Sequence, residues 1–195
     1  VMQTGGLATI VNCIIEQGDR GLQTDGGHME VINTTVVDTN YGVFLHGGSF
    51  EMVNSIVAYN VPDYRRCCGS PEPVISYSNF WNPGGEPIRP GIGNVSVDPM
   101  FRGYEQGNFR LDYTSPMIDA ANSAVAPEND LAGAPRYDDP RTDNTGVATG
   151  DGTIADMGAF EFVETAESDV DLIVTRVEGP AAAEAGDDVT IEYQL

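Results

Sequence analysis

Apolar residues in the first third of the chain fall into short alternating runs, and the runs recur at a fixed interval. Aligned on paired glycines, the segments read LATIVNCIIEQGDRGLQTDGG (7–27), HMEVINTTVVDTNYGVFLHGG (28–48) and SFEMVNSIVAYNV (49–61), after the tail VMQTGG (1–6). Gly6, Gly27 and Gly48 are 21 residues apart, and so are Asn12, Asn33 and Asn54. Stacking the segments gives the columns Ala8/Met29/Phe50, Ile10/Val31/Met52, Ile15/Val36/Val57, Val1/Leu22/Val43 and Gln3/Thr24/Leu45. Steps of two separate the first pair of columns and the last pair. That is strand periodicity, and no window shows helical 3.6-residue spacing. Such a unit cannot bury its apolar side alone, so the units must stack. Three short strands per 21-residue coil predict an all-β, right-handed parallel β-helix, each coil pairing with its neighbours at about 4.8 Å.

The asparagine column marks the bend between the first and second strands. Stacked amides there can bond one another along the axis, sparing each about 1–3 kcal/mol of unpaired burial. Glycine at 21, 42 and the pairs 5–6, 26–27 and 47–48 suits corners that need positive φ.

Because the chain starts with the tail of a repeat, further coils are expected upstream, with any signal peptide. None of the 195 residues is lysine, and 30 acidic residues against nine arginines leave a formal charge of −21. A field of that sign repels nucleic acid and anionic membranes and attracts cations. Without an ammonium base in these residues, lysine-driven elimination on a polyuronate is excluded unless arginine or an upstream residue acts. No apolar stretch reaches the roughly 18–20 residues of a membrane span.

Cys13 shares a small-residue column with Thr34 and Ser55 and reads as a free thiol. Cys67 and Cys68 lie in the proline-rich stretch 61–73, expected to bulge from the stack as a loop. No zinc-ligand spacing or CxxC motif is present. VISYSNFWNP (74–83) reads as one more coil in a shifted register, with Ile75, Tyr77, Phe80 and Trp81 wrapping the end.

Beyond it come VDPMF (97–101), FRLDYTSPMIDA (109–120), DLAGAPR (130–136) and DMGAFEF (156–162). This ordered series resembles the closing part of secreted bacterial right-handed β-helix proteins of the choice-of-anchor Q, pectate-lyase-like type, over residues 5–162. Asp98, Pro99 and Phe101 match the first block. Phe109, Arg110, Leu111, Ser115, Pro116, Ile118 and Asp119 match the second, Asp130, Gly133 and Arg136 the third, and Asp156, Gly158, Ala159 and Glu161 the fourth. Ala121 and Ala132 depart from the pattern, where a glycine and an acidic residue are usual. The resemblance implies a fold and a secreted or cell-surface location, not a reaction.

A β-helix ends in open sheet edges, which these blocks are expected to cap. Met100, Phe101, Phe109, Leu111, Ile118, Phe160 and Phe162 would supply apolar cover. Asp119, Asp130, Arg136, Asp156 and Glu161 would tie down the connections through charged hydrogen bonds. The competing reading is calcium, held among Asp130, Asp138, Asp139 and Asp151. Residues 1–162 thus form the coils and cap, and 163–168 an acidic linker. Residues 169–195 resemble the first strands of a cell-adhesion-related bacterial domain with an immunoglobulin-like sandwich. Such a sandwich needs about seven strands, so further sandwich residues are expected downstream.

In polysaccharide-processing β-helix proteins, which this chain resembles in fold, the sugar chain lies along the outward face of one sheet. The outward columns of the first strand are Thr9/Glu30/Glu51 and Val11/Ile32/Val53. Glu30 and Glu51, one coil apart, are candidates for catalysis, sugar contact or plain surface charge. Asp25 and His46, also one coil apart, are candidates for an oriented imidazole or a surface ion pair. The valine-isoleucine column is expected to be covered by a loop or partner. Two functions stay open: a rigid surface module that contacts carbohydrate or mediates adhesion, and the C-terminal part of a polysaccharide lyase or glycoside hydrolase.

Overall fold

Each repeat closes one coil of a parallel β-solenoid of about four turns. The computed structural model describes residues 1–164, 173–178 and 190–194. Strands β1 (Met2–Gln3) and β2 (Leu7–Val11) pair in parallel with β3 (Ile14–Ile32), and β3 pairs with β4 (Thr35–Val53). The register between successive coils is the sequence period: Met2 faces Gln23, Leu7 faces His28, Ile15 faces Val36. Pairing in β3 and β4 continues round the corners, so each runs unbroken for 19 residues in place of three separate strands.

The inward columns form the core that their alternation predicts. Leu22, Met29, Val31, Val36, Val43, Leu45, Phe50, Met52 and Val57 are buried in one cluster, which Ile75 and Phe80 extend. The fourth coil consists of β5 (Ile56–Ala58), β6 (Tyr64–Arg66), β7 (Val74–Ser76) and β8 (Asn79–Trp81). Its Tyr64–Arg66 strand still pairs with Val43–Leu45 at the 21-residue offset, which corrects the loop expected at 61–73. The proline chemistry explains the difference. Pro62 lacks an N–H but lends its carbonyl to Gly42 (3.1 Å), and the Asp63 carbonyl serves Val43 (2.8 Å). Extra residues enter only after Arg66, so Glu51 faces Val74 and Ile56 faces Asn79, both 23 positions on.

The corners use more side-chain chemistry than amide stacking. Asn12, Asn33 and Asn54 adopt positive φ (49°, 44°, 56°), which asparagine tolerates at a bend. Asn54 Nδ2 donates to Asn33 Oδ1 at 3.1 Å, so the expected ladder exists for that pair. The next position carries a second ladder. The hydroxyls of Thr34, Ser55 and Ser78 accept the N–H of Cys13, Thr34 and Ser55 at 3.1–3.4 Å, and donate to carbonyls two residues back. Cys13 ends this column as a free thiol.

The last coil is covered by residues 91–98, whose Ile92 and Val95 carbonyls take the N–H groups of Tyr77 and Phe80. A hairpin of β9 (Phe101–Gly103) and β10 (Asn108–Leu111) follows around a single 3-10 turn. Residues 115–162 then run back as a strap along the flank of the solenoid, reaching the bend asparagines of the first three coils. Asn122 N–H donates to Asn54 Oδ1 (2.8 Å), Asn33 donates to the Asp156 carbonyl (3.0 Å), and Asn12 to the Asn129 carbonyl (2.7 Å). A second apolar cluster forms beneath the strap, joining Ile56, Ala58 and Tyr77 to Leu111, Met117, Ile118, Ala121, Met157 and Phe162. Of the residues expected as end cover, Phe109, Leu111, Ile118 and Phe162 are buried, whereas Met100 is exposed.

Val1–Val163 form one compact unit and Glu164–Leu195 a second. In the second, β11 (Ile173–Glu178) and β12 (Thr190–Gln194) pair antiparallel. Linker residues 165–168, Leu172, the Gly179-Pro180 turn and Val189 lie outside the described residues.

Candidate functional site

Three parallel ladders give the solenoid three outward faces, and they differ in what they show to solvent. On the first-strand face Thr9, Glu30 and Glu51 are ladder neighbours, and Thr9 Oγ1 lies 3.5 Å from Glu30 Oε2. Glu30 and Glu51 line a shallow groove of about 70 Å³ with Val53, Val74 and Ser76. Beside them Val11 is exposed, whereas Val53 packs under the strap. Cover for this apolar column is therefore partial and comes from the chain itself.

On the third-strand face Asp25 and His46 do meet, with Asp25 Oδ1 at 3.2 Å from His46 Nδ1. Gln23 Nε2 donates to both Asp25 oxygens at 2.9 Å, and Arg20 donates to Gln23 Oε1 at 2.8 Å. His46 stacks on Phe44, over which the Arg20 guanidinium sits at 4.2 Å. Alternation at Gln23/Asp25 and Phe44/His46 turns these side chains outward together. Sequence reading missed the third member of the column. Cys67 stands 21 residues after His46 as His46 does after Asp25, and assigning 61–73 to a loop hid it.

The four calcium candidates are not brought together: no three of them have carboxylate oxygens within 4.8 Å of one another among the described residues. Asp130 is buried and accepts the N–H of Ala132, Ala134 and Glu161 at 2.8–2.9 Å. Asp139 is bound by Arg141 through both oxygens, and this pairing holds its carboxyl below the usual range. Asp138 accepts from Asn144 at 3.0 Å. Asp151 accepts from Thr149 and Thr153, which lowers its pKa, and it lines a separate hollow of about 280 Å³.

The acids with raised pKa lie elsewhere. Asp156 and Glu161 are pushed up first by burial, and Asp156 also by the neighbouring Glu161 charge. Both are committed to structure. Asp156 Oδ1 accepts Asp119 N–H at 2.8 Å and Oδ2 accepts from Phe162; Glu161 accepts Tyr137 N–H at 2.8 Å and pairs with the Arg136 guanidinium at 2.9 Å. Arg136 also reaches Asn12 Oδ1 at 3.0 Å. Asp119 is raised to about 7 by burial while both of its oxygens face the Asp139 N–H. Asp119, Asp130, Arg136, Asp156 and Glu161 therefore tie the connections through hydrogen bonds, with burial favouring the neutral form of Asp119 and Asp156. In the fourth coil, burial raises Asp63 to about 7 against two hydrogen bonds from Asn60, and its Oδ2 has no partner. A neutral acid suits that environment.

No protein-family model, no curated protein sequence and no solved structure matches this chain. Among the described residues no helix is long and apolar enough to cross a membrane.

Proposed function

We propose that this chain is a rigid secreted or cell-surface β-helix module that contacts polysaccharide along the first-strand face. The observation that carries the reading is the open Thr9/Glu30/Glu51 column, held in register over three coils on a face that the strap leaves accessible. Carboxylates and a hydroxyl at ladder spacing offer repeated acceptors and a donor to the hydroxyls of an extended glycan. The resemblance of the closing blocks to choice-of-anchor Q β-helix proteins, and of the final residues to an adhesion-related sandwich, supports a surface role. The acidic field favours neutral glycans, or uronates bridged by calcium. In this reading the buried acids of the strap hold backbone, and turnover is not expected.

Affinity electrophoresis in gels containing neutral or uronic polysaccharides tests this. Retarded migration is expected for at least one glycan, and E30A/E51A should restore free mobility. Retardation untouched by that double variant overturns the assignment of the face. Unsaturated product from pectin, alginate or chondroitin, or new reducing ends, replaces the proposal with the lyase or hydrolase reading, for which the carboxylate pair Glu30 and Glu51 is the candidate machinery.

A further inference from the structure

One of the chain's two histidines and two of its three cysteines converge at the end of the third-strand face. An imidazole nitrogen of His46 and the sulfurs of Cys67 and Cys68 all lie within 4.8 Å of one another. We propose that these three side chains bind a zinc ion. The repeat brings the ligands together although their sequence spacing resembles no zinc motif. His46 ends one coil, and Cys67 follows 21 residues later on the next, anchored by its N–H to the Leu45 carbonyl at 2.9 Å. The Cys67 carbonyl accepts both the N–H and the hydroxyl of Ser70, at 3.1 and 2.9 Å, which closes a tight turn. Within that turn Cys68 takes φ +61°, which sets its sulfur against that of Cys67; the two part to about 3.8 Å when both bond one tetrahedral zinc at about 2.3 Å.

The second observation is the support behind the histidine. Asp25 lies against Nδ1, and a carboxylate there accepts a hydrogen bond from Nδ1–H, which holds the proton on Nδ1 and leaves the Nε2 lone pair for a metal. Asp25 is itself fixed through Gln23 to Arg20. One imidazole and two thiolates match the borderline softness of zinc and leave a fourth tetrahedral position open to water or substrate. Sulfur ligands disfavour calcium, which takes oxygen. Both thiols lose a proton when the ion binds, so affinity falls with falling pH. Half of the His46 side chain is exposed, and so is Cys68, so an ion enters directly from solvent.

Titrating the reduced full chain with cobalt(II), then with zinc, tests the site. A single cobalt per chain is expected, with a thiolate-to-cobalt charge-transfer band that zinc bleaches. C67S and C68S should each remove or cripple the band, and C13S should leave it unchanged. D25N should weaken affinity about 10–100-fold through the outer hydrogen bond, and H46A by more. A fully reduced chain with three titratable thiols and no band overturns the proposal. So does H46A binding cobalt as tightly as the unaltered chain, which would leave only a dithiol.

Discussion

The first-strand and second-strand faces of the same coils look outward alike, yet one is open and the other closed. On the first, Thr9 and Glu51 are exposed and Glu30 half-buried. On the second, Thr35, Ile56 and Ala58 are buried against the strap, and Val37 is buried beside Ala58. The columns differ in chemistry as the faces differ in fate: small and aliphatic residues where the strap lies, with Glu16 exposed in the first coil of that column, and carboxylates where solvent or a glycan lies. The carboxylates divide in the same way. Those under the strap each serve particular backbone N–H groups, while Glu30 and Glu51 serve none. In a solenoid, therefore, burial of an outward column identifies a face already occupied by the chain itself.

Exchanging the two chemistries should break this contrast most severely. Val37→Glu places a charge at a fully buried position of the second-strand column and is expected to cost about 4 kcal/mol or more, read by chemical denaturation. Arg136→Ala leaves the Glu161 carboxylate buried without its partner, at about 3–5 kcal/mol. Asp63→Asn should act through pH. The folded acid ionises at about 7 against an ordinary 3.8, so the folded state holds its proton longer than the unfolded chain. Its contribution is complete below about pH 4 and is lost as pH rises through 7, a change of the order of a few kcal/mol. Melting curves across that window should flatten in the asparagine variant; an unchanged slope would show that Asp63 is already ionised. Gly158→Ala sharpens the picture under the strap. At φ +91°, its added Cβ would meet Ile56 Cδ1 at 2.7 Å, costing about 1–3 kcal/mol. Glu51→Val, on the open face, should stay within about 0.5 kcal/mol. A larger loss there would show that the face is not free.

The coils were legible because their information is local and repeated: Leu22 above Val43, Met29 above Phe50, Val36 above Val57. The strap was not, because no period links Asn33 to Asp156 or Arg136 to Asn12, more than a hundred positions apart. A signal for it existed in the outward pairs Thr35/Ile56 and Val37/Ala58, too apolar for a solvated sheet. Pro62 misled for a physical reason: it occupies a corner where its carbonyl serves the ladder and its missing N–H is not called on. Of the candidate site, the glutamate pair and the Asp25–His46 contact followed from the count alone. Cys67 needed the count carried one coil further, and Cys68 needed a backbone turn that no spacing encodes. The hydroxyl ladder was visible only as smallness, since Thr34, Ser55 and Ser78 share an oxygen as well as a size.

An unbraced solenoid comes apart winding by winding, since each repeat answers only to its neighbours. Here the returning segment grips three windings at once, from Asn12 to Asn54. No single winding of the rod can peel away without releasing that grip, so melting becomes a concerted event. Assembly inherits the same condition. During synthesis the flank of the early windings stays bare until residue 162 has left the ribosome, and only then does the rod acquire its full stiffness.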